Sequence, residues 1–415
     1  MADVPRIIDL PSVIEPHLKG AKLVSYASRY LTKAGDNYGS VILAIMANVQ
    51  KPCGEIEELP LVAKLPPLTN ELFWEMFQPE RTCLTENAVY QYLSPALRSL
   101  QLEAGIAENE IFEGFPEYYG SRISLNPDAE KVDRDAVLVQ ENLQTSGFKA
   151  GDRHKPFDLA HTKLILGEMA KYHALPIALR LKKPEVFNKF IRPYFKKFNM
   201  NTGMAPEVKS QMEAELYQEV ANATNNNANC VERVKELMQE YDIFVAKPEK
   251  EDDLFTSIVH CDMWINNLMI QYDECSQPSK VKFVDFQIAQ YESCVHDIIF
   301  LLFSSVEISV LEYHVDELLQ FYYQTFIECL KSVHISTNEY SFVGFMKEIH
   351  KCAGIEICHA LFMTKIILAD NSTMPDDYKD INMDVLSRNV GKKNITEKTA
   401  DIIRIGQKYR FFDKD

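Results

Sequence analysis

The sequence predicts an α+β chain in two parts, a small strand-rich N-terminal part and a larger, mostly helical C-terminal part. Three observations predict it. Short apolar runs bounded by turn residues cluster in the first third of the chain. From Leu159 onward apolar residues recur mostly at helical spacing. One pair of short strands, 268–272 and 281–286, interrupts that helical half as a hairpin.

The elements follow in order. LysAlaGlyAspAsnTyrGlySer (33–40) has turn chemistry and precedes ValIleLeuAlaIle (41–45), a buried-strand pattern. GluLeuProLeuValAlaLysLeu (58–65) is a second strand. Glu71 to Leu93 has helical character, and 136–143 reads as a strand running into a loop. Asp158 is placed to cap a helix that begins at Leu159, with Leu159, Leu164, Leu166, Met169 and Ala170 on its apolar face. Residues 221–229, rich in Asn and Ala, are expected to form a mobile loop. Between the two hairpin strands, AspGluCysSerGlnProSerLys (273–280) supplies the turn. From Ile298 the helical period continues almost to the end. The expected division is 1–141 and 142–415.

Composition narrows the function. With 44 basic and 60 acidic residues the net charge is -16, which disfavours nucleic acid and anionic membrane as partners. The N-terminus lacks a charged stretch followed by an apolar core, so no secretory signal is expected. The apolar stretch from Ile355 to Ala369 contains Glu356 and Lys365 and is too short to span a bilayer. Nine scattered cysteines without C-x-x-C spacing suggest reduced thiols and a cytoplasmic location.

The chemistry concentrates at the hairpin. HisCysAspMetTrpIleAsnAsn (260–267) stands just before it. Asp262 and Asn267 are five residues apart, the D-x-x-x-x-N spacing of a kinase catalytic loop. Asn267 opens the outgoing strand and Asp285 closes the returning one, so antiparallel pairing brings both to one end of the hairpin. Two oxygen ligands meeting there suit Mg²⁺. Asp262, on the preceding loop, is then free to face an attacking hydroxyl. A zinc site at His260, Cys261 and Asp262 is disfavoured, because three adjacent residues cannot easily point at one metal.

Upstream, a phosphate-handling site needs a cation. Lys64 lies within LeuValAlaLysLeu, and its expected partner is Glu86 of ThrGluAsnAlaValTyr. The turn Gly35, Asp36, Asn37, Tyr38, Gly39 and Ser40 carries two glycines that let backbone amides approach anionic oxygens.

These residues resemble the ecdysteroid kinase-like (CHK kinase-like) family, related to choline kinases and aminoglycoside phosphotransferases. The family's His-Gly-Asp-x-Trp-x-x-Asn is similar to HisCysAspMetTrpIleAsnAsn, and its Val-Asp-Phe-Gln stands unchanged at 284–287. Its phosphate loop resembles GlyAspAsnTyrGlySer, its Glu-x-x-x-Tyr helix resembles Glu86 to Tyr90, and its hinge Leu-Glu-Asp-Leu resembles GlnGluAsnLeu at 140–143. Its Leu-Ala-x-x-His-Ala is close to MetAlaLysTyrHisAla at 169–174, and Asp297 matches a family Asp that braces the catalytic loop. Three positions depart from protein kinases or the family: Cys261 for Gly, Asn142 for the hinge Asp, and Gln287 where protein kinases have Gly.

The resemblance implies a protein-kinase-like bilobal fold that binds ATP near Glu141 and Asn142, with Mg²⁺. It implies transfer of the γ-phosphoryl group to the hydroxyl of a small lipophilic alcohol, such as an ecdysteroid or xenobiotic. Asp262 would take the acceptor proton, Asn267 and Asp285 would hold Mg²⁺, and Lys64 with Glu86 would hold the α/β-phosphates. A non-catalytic nucleotide- or steroid-binding pseudokinase and a choline-type kinase are the alternatives. No Ala-Pro-Glu segment follows the hairpin, which disfavours protein substrates.

Overall fold

A computed structural model describes residues 4–32, 39–68, 71–199, 206–246, 252–369 and 392–413. The chain forms two compact units. The first takes in Met1–Gln91 and Phe115–Phe148, and the second takes in Tyr92–Gly114 and Lys149–Ala369. The second also includes the described residues 392–413.

The first unit is built on a five-stranded antiparallel sheet. Its strands are β1 (Lys22–Tyr30), β2 (Val41–Gln50), β3 (Ile56–Leu65), β4 (Tyr118–Arg122) and β5 (Val137–Glu141), in the order β1-β2-β3-β5-β4. Strand period two explains the core. Val41, Leu43, Ile45, Ala47 and Val49 of β2 alternate onto one face, where they meet Leu61, Ala63 and Leu65 of β3 and Val137 and Val139 of β5. The short helix α1 (Leu10–Ile14) adds Leu10, Val13 and Ile14 to that layer. Alternation places Lys64 on the opposite face, paired in register with Ile42 on one side and Leu138 on the other.

The expected helix from 71 to 93 is divided. Helix α2 (Glu71–Phe77) ends at Gln78, whose φ of 47° is left-handed, and Pro79 opens α3 (Pro79–Ala88). Proline has no N–H to continue a helix but suits its first position, so the break belongs here. The buried side of α3 is unusually polar, with Thr82, Thr85, Glu86 and Asn87 all inside.

The second unit is mostly helical. It comprises α4 (Ser94–Glu103), α5 (Leu159–Lys182), the single turn α6 (Pro184–Val186), α7 (Pro206–Ala223), α8 (Ala228–Ala246), α9 (Val295–Ser305), α10 (Ile308–Ser332), α11 (Phe342–Ile367) and a last described helix, Lys392–Lys408. Residues 92–114 join this unit because α4 packs on α5, so the first unit is interrupted where the sequence suggested a continuous lobe. Asp158 caps α5 as expected, accepting the His161 N–H at 3.0 Å. The Asn-rich stretch is mostly helix rather than loop. Only 224–227 separate α7 from α8, with Asn225 and Asn226 at φ 52° and 60°. Asparagine tolerates that left-handed geometry, which explains its use in so tight a connection.

Two small sheets carry the interruption. Strands β6 (Lys149–Ala150), β8 (Leu268–Tyr272) and β9 (Pro278–Phe283) form one, in the order β6-β8-β9, and β7 (Thr256–Val259) pairs with β10 (Gln290–Ser293) in the other. The returning hairpin strand thus lies at 278–283 rather than 281–286, and Val284 to Phe286 lie beyond it. Asp285 cannot continue the ladder because its φ is 67°.

Candidate active site

The loop from His260 to Asn267 leaves β7, a strand buried along its whole length, and reaches β8 through one turn of 3₁₀-helix at Ile265–Asn267. Its first turn is gripped by the fully buried Asp297, near the start of α9. The His260 N–H donates to Asp297 Oδ2 at 2.7 Å and the Cys261 N–H to Oδ1 at 2.8 Å. His173 of α5 donates through Nε2 to Oδ2 at 3.0 Å, and its Nδ1 meets the Tyr322 hydroxyl at 2.7 Å. One carboxyl group therefore ties the loop to α5 and α10.

His260 links the loop to the hairpin. Its Nε2 lies 3.0 Å from the Val284 carbonyl oxygen, which can only accept, so Nε2 carries the proton. Nδ1 is then the acceptor for the Asp262 N–H at 3.3 Å. Further along, the Ile265 N–H donates to Ser305 Oγ at 3.0 Å.

Cys261 sits at φ 63°. That is a backbone geometry glycine adopts freely and an L-residue adopts at a cost of about 1–2 kcal/mol. Cys261→Gly should relieve the strain while losing backbone order in the unfolded chain, for a net gain of about 0.5–1 kcal/mol. The check is a melting curve. A midpoint that falls on substitution would mean that the thiol's contacts outweigh the strain.

Asp262 and Asn267 are joined directly. Asn267 Nδ2 donates to the Asp262 carbonyl oxygen and to Asp262 Oδ2, both at 2.8 Å. This leaves Asn267 Oδ1 with no donor among the described residues. Asp285 arrives from the other side of the hairpin, since the Val284 N–H donates to the Asn267 carbonyl at 3.0 Å. Burial pushes the Asp262 carboxyl up to about 7, the negative charge of Asp285 pushes in the same direction, and the Asn267 hydrogen bond opposes them. Two carboxyl groups within electrostatic reach of each other, one of them hydrogen-bonded by the Asn267 amide, bring hard oxygen donors to one end of the hairpin. That set fits a divalent cation such as Mg²⁺. Among the described residues no group of three or more His, Cys, Asp or Glu side chains is arranged to hold a metal.

In the first unit, Lys64 and Glu86 are brought together. Lys64 Nζ lies 2.7 Å from Glu86 Oε2 and 2.9 Å from Oε1, with both side chains more than nine-tenths buried. A strand lysine turned away from the core and fixed by a helix carboxylate is a preorganised cation. Nearby, burial and the Glu86 charge push the Cys83 thiol up to about 12, so it stays neutral. Glu141 ends β5, with Oε1 accepting the Ser146 hydroxyl at 2.7 Å. Asn142 is buried, donates its N–H to the Pro60 carbonyl at 3.3 Å and accepts from the Gln144 N–H at 3.2 Å. Gly39 and Ser40 lead into β2, with Ser40 buried, while Gly35, Asp36, Asn37 and Tyr38 lie outside the described residues.

A β-sheet unit carrying a strand lysine paired to a helix glutamate, followed by a helical unit with a D-x-x-x-x-N loop and hairpin, is a protein-kinase-like α+β fold. The chain belongs to the ecdysteroid kinase-like family, whose model matches residues 34–335. No curated protein matches it. Among solved structures it is similar to an ethanolamine kinase from Plasmodium vivax, at 10% identity and a TM-score of 0.38, covering 93% of this chain and 84% of that one. A spectinomycin phosphotransferase in complex with ADP and spectinomycin matches at 10% identity and a TM-score of 0.41, covering 92% and 93%. A choline/ethanolamine kinase family protein from Mesorhizobium loti matches at 12% and 0.30, covering 92% and 93%. Among the described residues no helix is long and apolar enough to cross a membrane.

The roles of His173, His260 and Ser305 in fixing the loop are not apparent from motif spacing. The nearest signal is the histidine of TyrHisAla at 172–174, a polar residue among the apolar positions of α5.

Proposed function

We propose that the chain is an ATP-dependent phosphotransferase acting on the hydroxyl of a small, lipophilic alcohol. The observation that carries the reading is the Asp262–Asn267–Asp285 arrangement, held by partly buried hydrogen bonds at the hairpin end. Family membership supports the same class.

Asp262 orients the acceptor hydroxyl and takes its proton as the oxygen bonds to the γ-phosphorus and the bond to the β-phosphate oxygen breaks, releasing ADP. Asn267 Oδ1 and the Asp285 carboxylate are the groups that would hold Mg²⁺. The ion, when bound, neutralises phosphate charge. Asn267 meanwhile keeps Asp262 in one orientation through its two Nδ2 bonds. Lys64, fixed by Glu86, binds the α/β-phosphate oxygens, and the 33–40 turn and the Glu141–Asn142 segment are assigned to the nucleotide. Preorganised charge and positioning supply most of the rate enhancement in such sites.

The test is direct. Purified chain with Mg-ATP should add one phosphoryl group, read by mass, to at least one member of a panel of steroid, phenolic and amino alcohols. It should label no generic protein substrate. Robust labelling of casein with an inert alcohol panel would reverse the acceptor class. Transfer to choline-like alcohols alone would favour a choline-type kinase.

A further inference from the structure

The net charge of -16 is not spread evenly along the chain. Residues 180–197 carry seven basic side chains and one acidic, Glu185. They run from the end of α5 through α6, one π-helical turn (Phe187–Ile191) and one 3₁₀ turn (Arg192–Tyr194). Four of the basic groups are taken up by contacts within the protein. Arg180 is buried and donates to the Tyr291 hydroxyl at 2.7 Å and to the Asp253 carbonyl at 3.0 Å. Arg192 pairs with Asp252 at 2.9 Å, Lys183 pairs with Glu103 at 2.6 Å, and Lys197 donates to the Phe244 carbonyl at 2.7 Å. The other three, Lys182, Lys189 and Lys196, are exposed. The chain-wide charge that disfavours an anionic membrane is thus reversed locally.

The apolar residues of this stretch divide in the same way. Phe187, Ile191, Phe195 and Phe198 recur at near-helical spacing and are buried. Phe190 lies off that row and is 46% exposed, with Lys189 Nζ 5.0 Å from its ring centroid. Leu181, just past the buried run of α5, is 52% exposed. Two contacts carry this surface onto α4. The exposed Tyr92, two residues before α4, stacks on Tyr194 with centroids 5.4 Å apart. At the other end of α4, the Lys183–Glu103 pair stands beside the exposed Leu102. Core packing does not explain these outward aromatic and aliphatic side chains. Combined with lysines they have the composition of an interfacial anchor, in which apolar groups enter the headgroup boundary and ammonium groups meet lipid phosphates and carboxylates. Charge alone would suit any polyanion and an apolar patch alone any hydrophobic partner, whereas the two together fit an anionic bilayer.

We propose that the surface carrying Leu181, Phe190, Tyr92 and Leu102, together with Lys182, Lys189 and Lys196, binds anionic membranes peripherally. The proposal goes beyond the phosphotransferase reading and does not require it. If both hold, docking brings the chain to the phase in which lipophilic alcohols dissolve.

The experiment sediments the full chain with vesicles of phosphatidylcholine alone and of phosphatidylcholine mixed with phosphatidylserine. The wild type should bind the mixed vesicles, leave the neutral ones in suspension, and lose most binding when salt shortens the Debye length to about 3 Å. Each lysine near such a surface corresponds to about a fivefold change in partitioning, so the Lys182→Gln, Lys189→Gln double variant should bind roughly 25-fold more weakly. Phe190→Ser should weaken binding about fivefold, since about half of that ring is still open to burial. All three side chains are exposed, so melting midpoints should not move, and Leu181→Ser is the second apolar probe should Phe190→Ser melt lower. No binding to the mixed vesicles, or binding that these variants leave unchanged, overturns the proposal. A loss confined to the lysine variant also overturns it, because that describes a polyanion site with no apolar part. If the wild type is a dimer by size exclusion and Phe190→Ser is a monomer that still binds vesicles as the wild type does, the face is a contact between copies instead.

Discussion

Replacing Asp285 by Asn is expected to abolish the stabilisation that Mg-ATP gives the protein, whereas Asp262→Asn should leave it nearly intact and lower kcat by roughly 10²–10⁴-fold. The two carboxyl groups differ in their surroundings. Asp262 Oδ2 already accepts from Asn267 Nδ2, and its backbone carbonyl accepts from the same amide, so the side chain is set by protein contacts. Asp285 is delivered by a break in the ladder, at φ 67°, just after the Val284 N–H has bonded Asn267. It is the group proposed to bind the metal, so its loss removes ground-state affinity. Asp262 is proposed to act on the proton that moves only during transfer, so its loss falls on the transition state. A ligand that binds only the native state raises apparent stability by mass action, which makes a thermal shift the readout for the first effect and single-turnover kinetics the readout for the second. Equal loss of the shift in both variants would overturn the division of labour. No shift and no turnover in the wild type would favour a non-catalytic binding protein.

The legible parts of this chain were those whose signal is local. The apolar runs at 41–45, after the turn residues 33–40, and at 58–65 predicted β2 and β3, and Asp158 before an apolar period predicted the start of α5. The loop and hairpin were legible because turn residues, an outgoing strand and a returning strand occur within 26 residues, from 260 to 285. Errors arose where a neighbour overrides local preference. The returning strand was placed three residues late, because Val284 and Phe286 have strand character but Asp285 takes a left-handed φ to leave the ladder. Residues 71–93 read as one helix because their apolar spacing outweighed Pro79, which in fact starts a new one. Strands β1, β4, β6, β7 and β10 went unread. The last two are only four residues each and buried on both faces, so they show no alternation. The polar supports of the site were the least legible. His173 and Asp297 are 124 residues apart. No spacing rule links partners at such a distance, and only the folded arrangement of α5 and α9 reveals them.

Asp297→Ala is expected to be the most destabilising single substitution near the site, at about 3–5 kcal/mol. Its carboxyl group is fully buried and accepts three hydrogen bonds, from the His260 N–H, the Cys261 N–H and His173 Nε2. Truncation leaves two backbone donors and an imidazole donor without acceptors in a space closed to water, and each buried unsatisfied group costs about 1–3 kcal/mol. Asp297→Asn separates shape from charge. It keeps the volume but places an amide N–H against one of the same three donors, so it should still lose a large part of that stability. The loss has a second consequence. Cys261 stays at φ 63° because its N–H is bonded to Asp297 Oδ1, and a residue in that conformation returns to an ordinary one when the constraint is released. Release would swing Asp262, the next residue, away from Asn267. Turnover should therefore fall more steeply than the fraction of folded protein does, and Cys261→Gly in the Asp297→Asn background should recover part of the activity, because glycine holds the turn without the anchor. The measurements are melting midpoints and kcat for the two Asp297 variants and the double variant. An Asp297→Ala protein that melts within a degree of the wild type would show that this carboxyl group does not anchor the loop. Activity that tracks the folded fraction alone would show that it anchors the fold but not Asp262.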